Sequence, residues 1–134
     1  MDDISPRHPT AAAIAALAAR FHLPNTPYMQ DWEYEVADPA RLPEFLAAYR
    51  ASQLNEDERF VLMMTLIQSV EEADDLEAGW RDLEPLLRAE WVLHAPTVGY
   101  WCCFDEAVPS NWFKLAGRMR ALWAELAGGA RYLR

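Results

Sequence analysis

The sequence has few cysteines, and their position excludes a disulfide framework. Its two cysteines in 134 residues are the neighbours Cys102 and Cys103. A disulfide between adjacent residues is strained by its geometry, so the pair indicates reduced thiols in a protein of the cytoplasm. Aromatic residues flank the pair and favour burial, so we interpret both cysteines as packing residues and not as nucleophiles.

Features that direct a chain to a membrane or out of the cell are also scarce. The N-terminus begins with Asp2 and Asp3 instead of a basic segment. The alanine-rich run at 11–19 is much shorter than a membrane span. We therefore expect neither an export signal nor a membrane partner.

Motifs that carry cofactor or acyl-transfer chemistry are absent from the sequence. It contains no glycine-rich phosphate loop, no nucleophile elbow and no zinc spacing. Glu90 and His94 lie four residues apart, but helical metal sites use several glutamates with a histidine three residues after two of them. None of the three histidines follows a glutamate at that distance. We predict that the protein is not an enzyme and holds no metal or other cofactor, and that His94 lies at a helix end or in a loop.

Basic residues are fewer than acidic residues, and the two kinds are distributed unevenly along the chain. The whole sequence has 12 basic and 21 acidic residues, a net charge of −9. Residues 31–106 contain 18 acidic and 5 basic residues, whereas residues 107–134 contain 1 acidic and 5 basic. A body this acidic repels nucleic-acid phosphates and attracts basic proteins by long-range steering. We therefore expect a basic protein partner and no nucleic acid. A homodimer is also compatible with the sequence.

A long apolar helical pattern is the main positive feature of the sequence. From Asn55 to Ala73 apolar residues occupy nearly every side of the predicted helix, which leaves little of its circumference for water. Asn55 and Glu58 have the spacing of a capping box, which places the start of the helix at Asn55. This helix should therefore be central and buried.

Shorter patterns on either side of it predict an all-α fold. They favour a single compact bundle of about five or six helices over 1–134, with residues 1–8 flexible. A period of two predicts a short extended segment at Trp32–Val36. Pro85 predicts a kink or a second helix beginning there, and breakers predict a packed loop or short strand at 94–109. Ser110 or Asn111 should cap the last helix, which ends at the glycines 128–129.

Acidic residues near the end of the central helix and in the extended segment are the candidate contact surface. Negative charge at a helix C-terminus is unfavourable by ~0.3–1 kcal/mol per residue, so something should compensate for it. One explanation is that Asp74 or Asp75 caps the next helix, where Asp74 and Glu77 have the spacing of a capping box, and that the other residues are solvated. The other is a docking site for a basic partner. The candidate residues are Asp31, Glu33, Glu35, Glu71, Glu72, Asp74, Asp75 and Glu77.

Several short motifs carry a family resemblance. They are Trp32-Glu33-Tyr34, Glu44-Phe45-Leu46, Tyr49, the capped apolar helix from Asn55 to Ser69, Leu86-Leu87, His94 and Tyr100-Trp101. In this order they resemble small all-helical bacterial immunity proteins of toxin systems. The resemblance implies a cytoplasmic protein that binds and neutralises a toxin domain, and the acidic middle of the chain suits a basic toxin. A structural or adaptor subunit of a larger assembly and a metal-dependent enzyme are the alternatives.

Overall fold

Helices make up the regular secondary structure of the chain. The computed structural model describes residues 2–133, and within them it has seven α-helices and no β-strand, only one isolated bridge. The helices are α1 Ala11–Phe21, α2 Trp32–Glu35, α3 Leu42–Arg50, α4 Glu56–Glu72, α5 Leu76–Ala89, α6 Trp91–Trp101 and α7 Ala116–Leu126. Two 3-10 turns lie at Pro39–Arg41 and Pro109–Asn111. The predicted all-α class is confirmed.

The chain divides into two compact units. The first, called here the α4 unit, is His8–Leu83 and contains α1 to α4 with the first half of α5. The second, called the α6–α7 unit, comprises the described residues of Met1–Arg7 and Glu84–Arg134. The single domain expected over 1–134 stays a prediction.

Helix α4 forms the core of the α4 unit, as its pattern predicted. The Asn55 side chain accepts a hydrogen bond from the Glu58 N–H at 2.8 Å, and Glu58 Oε1 accepts one from the Asn55 N–H at 2.9 Å. All residues at 60–67 are buried. Helices α1, α2 and α3 each pack against α4. The predicted capping box and central position are confirmed.

The segment predicted to be extended at Trp32–Val36 is a helical turn instead. Trp32 and Val36 are 3% and 6% exposed, and because they are four residues apart they share one face of a helix. The Trp32 indole N–H donates to the Pro24 carbonyl at 2.7 Å. An alternation of apolar and polar residues over so few positions fits either conformation. Packing against α4 favours the helical one, so the prediction was wrong.

Two prolines lie inside helices, although the sequence predicted a kink or a new helix at Pro85 and a loop or strand around Pro96. Helix α5 continues through Pro85, and the next helix begins at Trp91 and not at Pro85. Helix α6 continues through Pro96 to Trp101, so the first part of the predicted loop or strand at 94–109 is helical. A proline removes the donor for the carbonyl four residues earlier. Those carbonyls belong to Arg81 and Val92, two exposed residues on the solvent side of their helices, where water can replace the lost donor.

The last helix begins later than predicted. Pro109–Asn111 form a 3-10 turn, and α7 starts at Ala116, so neither Ser110 nor Asn111 caps it. The delay follows from the contacts of Trp112, whose indole N–H donates to the Glu106 carbonyl at 2.8 Å and holds this stretch outside the helix. Gly128 and Gly129 have φ angles of 63° and 89°, which favour glycine and end the helix as predicted.

Candidate partner-binding sites

The net negative charge of the chain belongs to one of the two units. Residues 8–83 contain 14 acidic and 5 basic residues, a net charge of −9, whereas the rest of the sequence contains 7 of each. All eight acidic residues predicted to contact a partner lie in the α4 unit. Any long-range attraction of a basic protein therefore originates there.

Contacts between α2 and α4 bring the two acidic segments of the α4 unit together. The Thr65 hydroxyl donates to the Glu33 carbonyl at 2.6 Å, and the Asp38 N–H donates to Ser69 Oγ at 3.0 Å. An α-helix rises 1.5 Å per residue, so Thr65 is only ~10 Å before Glu72 along the axis of α4. Helix α2 therefore lies within two turns of the acidic end of α4.

Glu33 differs from the other predicted contact residues because it is buried. Its exposed fraction is 7%. Burial raises the pKa of the Glu33 carboxyl, and the charges of Asp31 and Glu35 act in the same direction, against a hydrogen bond from its own backbone. A buried carboxyl offers little surface to a partner, so the other seven residues carry the candidate contact surface.

Some of these seven residues also have structural roles. Glu35 Oε2 accepts a hydrogen bond from the Asp31 N–H at 2.9 Å, and Glu72 Oε2 accepts one from Gln68 Nε2 at 2.9 Å. Asp75 Oδ1 accepts one from the Ala78 N–H at 3.1 Å. The last of these bonds caps α5, so the expected cap is Asp75. These three side chains remain exposed, as do those of Asp74 and Glu77, while Glu71 is half-buried. Capping therefore explains part of the acidic run and leaves its charge at the surface.

The α6–α7 unit contains an aromatic cleft that the sequence analysis did not predict. The cleft has a volume of about 290 Å³. Four rings line it together with a thiol and two carboxylates, contributed by Tyr100, Phe104, Phe113, Tyr132, Cys103, Asp105 and Glu106. The aromatic cluster near residue 100 was a feature of the sequence that could have indicated the cleft. Its partner Tyr132 lies far along the chain, so the cleft could not be recognised from local spacing.

Tyr132 reaches the cleft because a glycine leaves room for its ring. A Cβ atom at Gly99 would overlap the Tyr132 ring. The segment around Tyr132 is held by backbone hydrogen bonds of 2.8 Å from the Ile4 N–H to the Arg131 carbonyl and from the Leu133 N–H to the Ile4 carbonyl. Burial raises the pKa of the Tyr132 hydroxyl. This wall of the cleft therefore depends on residues near both ends of the described chain.

Arg120 supports the turn that carries Cys103 and Phe104, two of the residues that line the cleft. Its Nε and Nη2 atoms donate to the carbonyls of Cys102 and Cys103 at 2.6 and 2.7 Å. Its guanidinium lies 3.8 Å from the centroid of the Trp112 ring and 5.5 Å from that of Phe104. These contacts fix the turn after α6, in which Cys103 has a φ of 53°, and thereby position Phe104 at the cleft.

The two cysteines have different environments. Cys102 is buried, and burial raises the pKa of its thiol to about 12, so the thiol stays protonated at neutral pH. Cys103 is half-buried and lines the cleft. Both are free thiols. The packing role predicted for the pair fits the burial of Cys102, while for Cys103, which lines the cleft, it stays a prediction.

His94 is the fourth residue of α6 and is completely buried, so it lies in the first turn of a helix, and its predicted placement in a loop was wrong. The turn signals of Pro96 and Gly99 led to that prediction, and tertiary packing overrides them. Across residues 2–133, no group of three or more histidine, cysteine, aspartate or glutamate side chains is arranged to hold a metal ion.

Comparisons with known proteins provide no family for the chain. Searches with protein-family models, against curated proteins and against solved structures each found no match. In the described part of the chain, no helix is both long and apolar enough to cross a membrane. Functional inference therefore rests on the charges, contacts and cleft described above.

Proposed function

We propose that the protein is a cytoplasmic protein-binding module, an immunity protein that neutralises a basic toxin domain. Its binding surface is the acidic face of the α4 unit, defined as Asp31 and Glu35 at the two ends of α2 with Glu71, Glu72, Asp74, Asp75 and Glu77 at the α4–α5 junction. The observation that carries the proposal is the confinement of the whole net charge of −9 to residues 8–83.

The acidic face is suited to rapid capture of a basic protein. No lysine or arginine occurs at 21–40 or at 60–80, the two stretches that supply the face. Clustered charge of one sign raises the rate of association with an oppositely charged partner, and fast association is useful for an inhibitor that must act before a toxin does harm. The resemblance to immunity proteins in the motifs of residues 32–101 supports the same function, and free thiols support a cytoplasmic location.

Co-expression with the product of the adjacent gene tests the proposed function directly. We expect a neighbouring toxin gene to arrest growth when expressed alone and to permit growth when this protein is made with it. The purified pair should form a stable complex in which the toxin is inactive. Co-purification with a larger assembly, with no growth effect from a neighbouring gene, would favour the structural or adaptor subunit instead.

Charge reversal tests the acidic face itself. Glu72→Lys with Asp74→Lys should slow association with the basic partner several-fold at low salt, because it weakens steering at the face. Stopped-flow measurement at rising ionic strength should show the difference shrinking as salt screens the charges.

A matched control lies at the other end of the same helix. Glu56→Lys with Asp57→Lys changes the net charge by the same amount, ~24 Å away along α4. This variant should retain most of the association rate. If both variants slow association equally, net charge alone is responsible, and the acidic face is not the binding surface.

A further inference from the structure

We propose that the aromatic cleft of the α6–α7 unit is a second recognition site, which binds an arginine side chain presented by a protein partner. This site is separate from the acidic face, since all of its lining residues belong to the other unit. It goes beyond the proposed function and does not depend on it.

The chemistry of the cleft walls favours an organic cation. The faces of aromatic rings attract cations, most strongly where water is partly excluded, and four rings line this cleft. Asp105 and Glu106 also line the cleft and add charge of the matching sign. Glu106 Oε1 accepts hydrogen bonds from the Val108 N–H at 3.0 Å and from Asn111 Nδ2 at 3.3 Å, so this carboxylate is positioned before any ligand arrives.

Arginine fits these walls better than lysine does. A planar guanidinium stacks on aromatic rings and donates to carboxylates at the same time, whereas an ammonium acts as a compact, strongly hydrated charge. The unit already contains one example, since the Arg120 guanidinium lies over the rings of Trp112 and Phe104. Packing of a guanidinium on aromatic rings therefore already occurs in this unit.

The surroundings of the cleft favour a protein over a small molecule. Tyr100, Phe104 and Val108 are large apolar residues that are 43%, 43% and 49% exposed. Exposed apolar area with charged groups at its edge is typical of protein contact surfaces, where an aromatic pocket takes an anchoring arginine. A small cation would fill the cleft and leave this rim exposed to water.

Titration with short peptides tests the cleft without any knowledge of the partner. The probes are Ac-Gly-Arg-Gly-NH2, the same peptide with citrulline, which has the shape of arginine without its charge, and the same peptide with lysine. In 1H–15N spectra of the whole protein, we expect the arginine peptide to shift the amides of the cleft residues saturably, with a Kd on the order of 1 mM. The citrulline and lysine peptides should bind ~3-fold or more weakly.

Two variants and one control identify the groups responsible. Phe104→Ala removes a ring, and Glu106→Gln removes a charge but keeps the oxygen that accepts from Val108 and Asn111. Each should weaken the arginine peptide ~3-fold or more. Val92→Ser, at a position that is 90% exposed on α6, should leave the affinity unchanged. Circular dichroism of each variant establishes that it is folded.

Alkylation of Cys103 gives a second readout of occupancy. The arginine peptide should slow the reaction of Cys103 with a bulky maleimide in proportion to saturation, while Cys102 stays unreactive. Equal affinity for citrulline or lysine, shifts away from the cleft, or affinity that survives both variants would overturn the proposal. None of these outcomes bears on the acidic face, because the peptides are tested without the toxin.

Discussion

The two units of this protein differ in how they can engage a partner. The α4 unit carries the full net charge of −9 around one buried helix, whereas the rest of the sequence has equal numbers of acidic and basic residues. In the α6–α7 unit, aromatic rings leave a cleft of about 290 Å³. Charge acts over a Debye length of about 10 Å, while a cleft acts only on contact. The difference suggests separate roles, with one unit attracting a basic protein and the other selecting a side chain.

The largest expected effect concerns the core of the α4 unit. Ile67 is fully buried in α4, so Ile67→Ala should lower the free energy of unfolding by ~2–5 kcal/mol through lost burial and a residual cavity. Urea denaturation measures the change. Tyr28→Ala, at a position that is 90% exposed in the same unit, should change stability by less than ~0.5 kcal/mol. A similarly small effect of Ile67→Ala would mean that α4 is not the core.

Alanine substitutions at two glycines test how rigid the packing is in each of the two units. A Cβ at Gly79 would lie 2.6 Å from a methyl group of Val70, which is fully buried and β-branched. At Gly99 the Cβ would lie even closer to the ring of Tyr132, which is partly exposed. Gly79→Ala should therefore cost ~1–3 kcal/mol, and Gly99→Ala should cost less while it disrupts the cleft.

Gly117→Ala is the control for these two variants. No atom lies within 4 Å of its added Cβ, and the residue is in α7, so alanine should stabilise the protein by up to ~1 kcal/mol. In thermal denaturation, Gly117→Ala should therefore be the most stable of the three variants, Gly99→Ala the next and Gly79→Ala the least stable. If Gly99→Ala proves the most harmful of the three, the Tyr132 wall is more rigid than its exposure indicates.

The smallest effect is a dependence on pH in the α4 unit. The Glu33 carboxyl has a pKa above its ordinary value of 4.5, so the folded state holds its proton more tightly than the unfolded state does. The carboxyl therefore destabilises the fold above that raised pKa and has no such effect below pH 4.5. Glu33→Gln should raise stability at pH 7, and the gain should disappear as the pH falls through this range. A gain that is the same at pH 4 and pH 7 would contradict the assignment.

Local signals predicted the features that depend on local contacts. The apolar residues of α4 and the Asn55–Glu58 capping box lie within one stretch of sequence, and both were recognised. Helix α2 was missed because its conformation depends on packing against α4, including the hydrogen bond from Thr65 to the Glu33 carbonyl, about thirty residues away. Helix α6 was missed because turn signals do not show that the surrounding packing will override them.

The same distinction applies to the two candidate sites. The acidic face follows from composition, which can be counted, although composition does not reveal that Glu33 is buried. The cleft depends on Gly99 and Tyr132, which no spacing rule connects. A glycine inside a helical stretch with no evident need for flexibility is a signal that something packs closely against it.

The pairing of Ile4 with Tyr132 has a consequence for the order of folding during synthesis. Residues 8–83 are continuous, so the α4 unit can fold as soon as they have left the ribosome. Ile4 must wait for a partner 128 residues later, which takes roughly 6–26 s at the 5–20 residues per second of translation. We therefore expect the acidic face to form first, and the cleft to be completed only after residues 131–133 have been made.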